Sequence, residues 1–353
     1  MSNPGSLHNY FAWPSVARLQ NGKLAVVASG YRLEHICPFG KAVISYSEDE
    51  GETFTVPAPV IDTVLDDRDA GITPFGAGGV MVTSFNNTTA FQRRIFEKDL
   101  SARGAYVRAY LDLVEPEREK AALGSQFRMS FDGGVTFGPI YQSPVTSPHG
   151  PTVLRDGSLL WVGRTFSCED AFRGSDKDRI EAYRVYEDGR MEVVGCIENI
   201  AEDGRRLLSC EPHAVTLADG TVLCHIRVQH LSGTAVFTTY QSRSSDGGRT
   251  WTKPVRLLDE TGGAPAHLLI RPDGTLVSVY GYRKPPYGVR AMVSSDGGES
   301  WSVDHVLYEN SVSSDLGYPA TAEFADGTLF TVFYAHPAPD EPAVILGMKW
   351  ALE

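Results

Sequence analysis

Three residues that could bind or process an acidic molecule stand at related positions in this sequence. Glu211 and Tyr318 each precede the aspartate of an Asp-Gly pair by eight residues, and Arg227 follows Glu211 by sixteen. A planar guanidinium binds a carboxylate through two parallel N–H bonds, which a lysine cannot do. In a protein with a formal net charge of −12, arginines gathered in one cleft indicate an anionic ligand.

Further residues of chemical interest lie at comparable places. His149, His213 and His267 each lie at or beside the start of a predicted strand, and such a cluster could bind a metal or serve as acid and base. Their spacing is not that of metal ligands, so we predict no metal and no cofactor. Arg164 follows its own turn glycine by seven residues, as Arg227 does, which makes it another candidate for the same cleft.

These residues belong to a strand pattern that recurs along the chain. Alternating apolar residues lead into a tight x-Gly turn and are followed by a second apolar run. The turns of the six copies are Asn21-Gly22, Gly78-Gly79 (a degenerate copy), Asp156-Gly157, Asp219-Gly220, Asp273-Gly274 and Asp326-Gly327. Such dipeptides between alternating runs predict β-hairpins with type I′ turns, which need positive φ at both central residues.

A second repeat has the form S-x-D-x-G-x-T-aromatic. It occupies residues 47–54, 130–137, 244–251 and, with Ser in place of Thr, 294–301. The aspartate can accept backbone N–H bonds across a tight turn, the glycine permits positive φ, and the aromatic ring packs over the hairpin. Four copies of an eight-residue pattern are a strong signal of a repeated unit.

This pattern is the Asp-box, and with it the chain resembles the sialidase superfamily along nearly its whole length. The resemblance implies an all-β, six-bladed β-propeller with four Asp-box hairpins, as a single domain spanning residues 1–353. It also implies that the Asp-boxes lie on the outer rim and that their aspartates are structural. A segment at about 91–123, rich in Arg, Glu, Lys, Ala and Leu, predicts one or two short helices inserted in blade two.

The resemblance assigns roles to the strand-start residues, which face the central channel of a propeller. Tyr318 matches the family's nucleophile and Glu211 the residue that takes its proton. Sialic acid carries a carboxylate at its anomeric carbon, and a neutral phenol suits that centre better than a charged nucleophile. Arg227 resembles the second arginine of the family's carboxylate-binding triad, and either Arg283 or Arg290 could supply the third.

Two family positions depart from the pattern. Ala12 stands where the family has its first arginine; Arg68 or Arg32 could substitute for it. The loop before the first Asp-box, which should carry the acid/base aspartate, contains none. The candidates that could transfer the proton instead are Glu34, His35, Asp67 and Asp69.

These observations support three hypotheses. The first is an exo-acting glycoside hydrolase resembling sialidases, which removes a terminal acidic sugar such as sialic acid. The second is a hydrolase or lyase acting on another acidic sugar such as a uronic acid, suggested by Ala12 and the histidines. The third is a non-catalytic propeller that binds a glycan or a protein, because Asp-boxes occur in such modules too.

Composition narrows the possible partners and compartment. The acidic charge, with a pI near 5.3, argues against a nucleic-acid binder. No apolar run approaches the length of a membrane span, and the five cysteines suggest neither a disulfide framework nor a zinc site. The N-terminal residues do not form a signal peptide, so we expect a cytoplasmic protein, with a trimmed secreted protein as the alternative.

Overall fold

Within the described residues, the strands form six antiparallel sheets that follow one another along the chain, and one separate two-stranded hairpin. The computed structural model describes residues 1–231, 237–258 and 265–352. Each sheet is a meander in which neighbouring strands are consecutive in sequence. The predicted all-β, six-bladed propeller is confirmed.

The strands of blades one to three have the following bounds. Blade one contains β1 (Tyr10–Arg18), β2 (Leu24–Arg32), β3 (Lys41–Ser47) and β4 (Ala58–Ile61). Blade two contains β5 (Arg68–Phe75), β6 (Gly79–Phe85), β7 (Ser125–Ser130) and β8 (Tyr141–Ser143). Blade three contains β9 (Val145–Thr146), β10 (Thr152–Val153), β11 (Leu159–Thr165), β12 (Ile180–Val185) and β13 (Met191–Ile197). Both β9 and β10 pair with β11, so the innermost strand of this blade is interrupted.

The second half of the chain continues the same plan. A hairpin of β14 (Ala201–Glu202) and β15 (Arg205–Arg206) precedes blade four. Blade four contains β16 (Leu208–Thr216), β17 (Val222–Gln229), β18 (Phe237–Ser244) and β19 (Val255–Arg256). Blade five contains β20 (Ala266–Ile270), β21 (Leu276–Tyr282), β22 (Gly288–Ser294) and β23 (Ser302–Tyr308). Blade six contains β24 (Gly317–Glu323), β25 (Leu329–Ala335) and β26 (Val344–Trp350).

The helical insertion lies in blade two, between β6 and β7. It consists of α1 (Thr89–Phe96), α2 (Ala102–Leu113) and α3 (Pro116–Ala122), one helix more than the sequence predicts. The hydroxyl oxygens of Thr88 and Ser101 accept backbone N–H bonds at the first turns of α1 and α2, as N-caps do. No helix within the described ranges is long and apolar enough to cross a membrane.

The turns between first and second strands differ in detail from the prediction. At the first turn, the Gly22 N–H donates to the Leu19 carbonyl at 2.9 Å and the Leu19 N–H donates to the Lys23 carbonyl at 2.8 Å. Gly22 has a φ of 85°, whereas Asn21 does not have positive φ. The type I′ expectation is therefore wrong: the turn is type I, followed by a glycine that forms a bulge.

The four Asp-boxes begin at the last residue of a third strand and share one set of hydrogen bonds. In the first, the Asp49 carboxylate accepts from the Ser47 hydroxyl at 2.7 Å and from the Thr53 N–H at 2.9 Å. The Gly51 N–H donates to the Ser47 hydroxyl at 2.8 Å. These bonds lower the pKa of Asp49 to about 2. The Asp49 carboxylate therefore stabilises the turn in which it lies.

The core consists of apolar layers between adjacent blades. Trp161 of blade three packs with Phe127 of blade two, and Tyr334 of blade six packs with Trp13 of blade one. The ring closes where the Phe11 N–H donates to the Ala343 carbonyl at 2.8 Å. Burying these faces supplies the main driving force for a propeller, since no blade can cover its own two sides.

Close backbone approach between blades two and three leads to a stability prediction. A Cβ added to Gly71 would lie 2.5 Å from the Gly150 nitrogen and 2.5 Å from Thr83 Oγ1. We expect Gly71→Ala to lower the free energy of unfolding by about 1–3 kcal/mol, because backbone cannot move aside as a side chain can. Urea denaturation measures the change. Gly138→Ala is the matched control, since its Cβ meets nothing closer than 3.4 Å, and equal stability of the two variants would contradict the close approach.

Candidate active site

A bulge near the start of the innermost strand recurs in four blades. There the pairing register shifts, and one non-glycine residue takes a left-handed backbone conformation. These residues are Trp13 (φ 53°), Asp69 (φ 48°), Glu211 (φ 49°) and Tyr318 (φ 48°). Such a conformation costs about 1–3 kcal/mol per residue and persists only where the surroundings hold it, often at functional sites.

The structure brings Tyr318, Glu211 and Arg227 into direct contact. The Tyr318 hydroxyl donates to Glu211 Oε1 at 2.8 Å, and Arg227 Nη1 donates to Glu211 Oε2 at 2.6 Å. Arg227 Nη1 also lies 3.4 Å from the Tyr318 hydroxyl. Burial, followed by the negative charges of Glu211 and Asp69, raises the pKa of Tyr318 well above its ordinary value. The phenol is therefore neutral, and its proton already points at a carboxylate.

Two further arginines lie close to this pair. Arg283 Cζ lies 5.9 Å from the centre of the Tyr318 ring, and Arg283 Nη2 donates to the Leu316 carbonyl at 3.0 Å. Arg68 Cζ lies 4.1 Å from the centre of the Trp13 ring, whose own distance from the Tyr318 ring is 6.4 Å. The Nε atoms of both arginines are buried without a hydrogen-bond partner among the described residues. Arg68 Nε lies 4.0 Å from Asp69 Oδ1, so its charge faces that carboxylate.

The position at which the family has its first arginine is buried in this protein. Ala12 is fully buried in the apolar layer between blades one and six. Arg32 is fully buried as well, where it pairs with Asp66 and donates to the His35 carbonyl at 2.9 Å. Of the two proposed substitutes, only Arg68 has a free donor near Trp13.

The four candidates for the proton donor lie in different surroundings. Asp69 is buried beside Glu211 and Tyr318; burial raises its pKa to about 7, which Arg68 opposes and Glu211 supports. Asp67 points into blade two, where it accepts from the Thr63 N–H at 2.6 Å.

Glu34 faces the helical insertion, where it pairs with Arg103 at 3.1 Å. His35 lies at the channel mouth with its ring 4.9 Å from that of Trp13, and its Nδ1 lies 3.0 Å from Asp315 Oδ1. Asp69 is thus the only one of the four that the structure brings beside the Tyr318–Glu211 pair.

The remaining predicted site residues are placed as follows. Arg164 lines the same pocket as Glu211 but makes a two-bond contact to Asp178, at 2.7 and 3.0 Å. Arg290 lies away from Tyr318: it stacks on Tyr282 at 3.8 Å and faces Asp304 at 3.7 Å.

The three histidines lie deeper in the channel than Tyr318. His149, His213 and His267 contact one another, with ring centres 4.5 to 5.3 Å apart. They line a cavity on the opposite face of the propeller, which contains neither Tyr318 nor Glu211.

One carboxylate that the sequence analysis did not single out organises the mouth. Asp315 accepts from the hydroxyls of Tyr10 at 2.8 Å and Tyr334 at 2.9 Å. His35 and His336 each place a ring nitrogen within 3.0 Å of it. Hydrogen bonds from the two histidines and Tyr10 outweigh its burial and hold the pKa of Asp315 far below its ordinary value.

A pocket of about 290 Å³ opens beside the pair. Asp69, Glu211 and Arg227 are among the residues that line it. Phe85 and Phe166 line it as well, with ring centres 6.2 Å apart. Concave sites that combine aromatic walls with a few converging polar groups are typical of small-molecule binding.

Comparison with known proteins agrees with this geometry. A family model described as a BNR repeat-like domain matches residues 138–331, which is more than half of the chain. The chain belongs to this BNR repeat-like family. A comparison with curated protein sequences gave no match.

Solved structures with the same propeller include several sialidases. A protein of unknown function from Dyadobacter fermentans superimposes with a TM-score of 0.74 at 19% identity, over 98% of this chain and 95% of that one. The NanB sialidase of Streptococcus pneumoniae gives 0.68 at 13% identity, over 100% of this chain and 70% of that one. The intramolecular trans-sialidase of Ruminococcus gnavus, solved with oseltamivir carboxylate, gives 0.66 at 14%, over 99% and 97%. At these identities the likeness shows a shared sialidase fold.

The surroundings of Asp69 predict a pH-dependent stability difference. Its folded-state pKa of about 7 lies above the ordinary value of 3.8, so folding disfavours its ionised form. The resulting loss of stability is absent below pH about 4 and grows until pH about 7. As the pH rises from about 4 to about 8, we expect the free energy of unfolding of Asp69→Asn to increase by roughly 2–4 kcal/mol relative to that of the original protein. Urea denaturation across that range measures it. Asp340→Asn, at an exposed position, is the control, and parallel curves for Asp69→Asn would disprove the assignment.

Proposed function

We propose that this protein is an exo-acting glycoside hydrolase that removes a terminal acidic sugar by way of Tyr318. The observation that carries the proposal is the 2.8 Å hydrogen bond from the Tyr318 hydroxyl to Glu211, with Arg227 beside both groups. A nucleophile within hydrogen-bond reach of a base, with that base oriented by a third group, is the arrangement of covalent catalysis. Asp-boxes on the rim contribute to the scaffold and not to this chemistry.

In the proposed reaction, Tyr318 attacks the anomeric carbon while its proton passes to Glu211. The bond to the leaving group breaks, and Asp69 donates a proton to the departing oxygen. Water then attacks the glycosyl–tyrosine bond with Asp69 as base, Glu211 returns the proton to the phenolate, and the configuration is retained. The raised pKa of Asp69, about 7, suits a group that gives and later takes a proton near neutral pH.

The acidic group of the sugar is held by arginines in this proposal. Arg227 binds it from blade four, and Arg68 and Arg283 support it from blades two and five, beside the rings of Trp13 and Tyr318. The arginine that the family pattern has at position 12 is replaced by Arg68, stacked on Trp13. This shift moves one positive charge from blade one to blade two, so a sugar whose acidic group is placed differently, such as a uronic acid, is the alternative substrate.

Removal of the Tyr318 hydroxyl tests the proposed nucleophile. We expect Tyr318→Phe to lower kcat/KM by at least about 10³-fold on the best acidic aryl glycoside, because the attacking oxygen is gone. A panel of aryl glycosides of sialic and uronic acids identifies that substrate. Tyr183→Phe is the matched control, since it removes a phenol that donates to Glu181 at 2.9 Å outside the channel. Full activity of Tyr318→Phe would disprove the nucleophile assignment.

The pH dependence of the activity tests Asp69 as the proposed acid. We expect kcat/KM to fall as pH rises through about 7, because Asp69 must carry its proton when the leaving group departs. Asp69→Asn should lose this limb and slow poor leaving groups by about 10²–10⁴-fold, while activated nitrophenyl glycosides slow far less. An equal loss for both leaving groups would assign the acid elsewhere, with His35 the next candidate.

Two other functions share the same scaffold. A lyase acting on uronate polymers would release an unsaturated product that absorbs in the near ultraviolet, and the same panel detects it. A non-catalytic glycan or protein binder would leave every substrate intact while still binding in the pocket. The direct contact between Tyr318 and Glu211 favours the hydrolase over both.

A further inference from the structure

The central channel contains a second layer of residues below the bulges. Its members stand two residues after the bulge position in the four blades that have one, or at the equivalent place in blades three and five. They are Ser15, Gly71, His149, His213, His267 and Ala320. In five blades these are the residues that pair with the second strand, immediately after the register shift where a shift is present. Imidazoles therefore fill the side of blades three to five, and small residues occupy the side of blades six, one and two.

The imidazole side of this layer borders an open cavity. A cavity of about 470 Å³ opens on the face opposite Tyr318 and is lined by all three imidazoles. The rings of His213 and His267 are stacked at 4.5 Å, and the His149 ring lies edge-on to both. The cavity thus ends at a cluster of side chains that can form hydrogen bonds.

The hydrogen bonds of two imidazoles fix where their protons lie. His213 Nδ1 accepts from the Leu268 N–H at 2.9 Å, and His267 Nδ1 accepts from the Thr321 N–H at 3.3 Å. A ring nitrogen that accepts carries no proton, so in the neutral ring the proton is on Nε2. Each ring therefore presents an N–H donor and no lone pair for a cation. Among the described residues no group of side chains suits a metal ion.

Polar atoms in this layer lack partners. Both ring nitrogens of His149 and the hydroxyl of Ser15 are buried with no hydrogen-bond partner among the described residues. Leaving one such group unsatisfied costs about 1–3 kcal/mol. A molecule in the cavity that accepts a hydrogen bond would satisfy a donor of His149.

No carboxylate competes for these donors. The charged residues of the innermost strands lie at the strand ends, away from the layer: Arg68, Asp69 and Glu211 toward the mouth, and Arg18 and Glu323 toward the opposite face. Glu323 is itself paired with Arg271 at 3.0 Å. The titratable neighbours of each imidazole are the other two, with His225 facing His213 from β17.

We propose that His149, His213 and His267, where they line this cavity, form an axial site for a small inorganic anion such as chloride, taken up together with one proton on His149. A lone buried anion would be unfavourable, whereas an anion beside a protonated imidazole is a neutral pair. Because burial holds the pKa of all three imidazoles well below the ordinary value, the proton enters only with the anion. Anion affinity therefore rises as pH falls, by about tenfold per pH unit for one coupled proton.

The axial site does not depend on the proposed glycosidase activity. Its three histidines line a cavity that contains neither Tyr318 nor Glu211, and the pocket beside Glu211 contains none of these histidines. The Tyr318→Phe variant should keep its anion uptake in full. Failure of either proposal leaves the other intact.

The test combines a direct and a thermodynamic measurement on the full chain. Crystals soaked in sodium bromide should show an anomalous peak within hydrogen-bond distance of His149. In solution, the thermal unfolding midpoint should be higher in sodium chloride than in sodium gluconate of equal ionic strength. This difference should be several degrees larger at pH about 6 than at pH about 8.

Two variants separate the site from general salt effects. His149→Asn should lose the chloride-specific difference, whereas His305→Asn, on exposed β23, should keep it. If His149→Asn does not fold, the bromide peak in the original protein decides alone. The proposal is overturned if the cavity holds only water, if Ni²⁺ or Zn²⁺ stabilises the protein in place of chloride, or if the chloride effect is independent of pH.

Discussion

The β-bulge near the start of the innermost strands is the constraint on which the site depends. A regular strand would send successive side chains to opposite faces of the blade. The bulge forces one residue into a left-handed conformation, and in four blades that residue contributes its side chain to the mouth of the channel. Trp13, Asp69, Glu211 and Tyr318 come from distant parts of the chain and meet only because their blades repeat the same irregularity.

Burial then gives these side chains their chemical character. Removed from water, Tyr318 keeps its proton and Asp69 titrates near neutrality, while Arg227 keeps Glu211 paired. The same physics acts differently in the second layer, where the imidazoles are driven to their neutral form. The channel thus has charged side chains at its mouth and neutral imidazoles in its middle. Where a strand has the bulge, the residues of these two levels are two positions apart.

Much of this arrangement was predictable from the sequence because the repeat carries it. The x-Gly turns and Asp-boxes predict six blades, and the equal spacing of Glu211 and Tyr318 predicts that their side chains lie at equivalent places. Asp69 does not fit the same spacing, because it stands nine residues before the first glycine of the degenerate Gly78-Gly79 pair and not eight. The sequence therefore could not separate it from the neighbouring Asp67.

Other features could not be predicted from local patterns. Whether Arg283 or Arg290 approaches Tyr318 depends on which face of the blade each occupies, and the structure directs Arg290 to Asp304. Asp315 acquires its role through Tyr10, almost the whole chain away in sequence. The turn type also escaped prediction, because an x-Gly pair suits both a type I′ turn and a type I turn with a glycine bulge.

The hydrogen bonds of Asp315 have a consequence for biosynthesis. This carboxylate joins Tyr10 and His35 of the first blade to Tyr334 and His336 of the last, beside Tyr318. During translation the first blade leaves the ribosome long before the last, so a growing chain holds Glu211 and Arg227 without the tyrosine they face. The mouth is completed only after blade six has been made and the ring has closed, because Asp315 and Tyr318 both belong to that part of the chain.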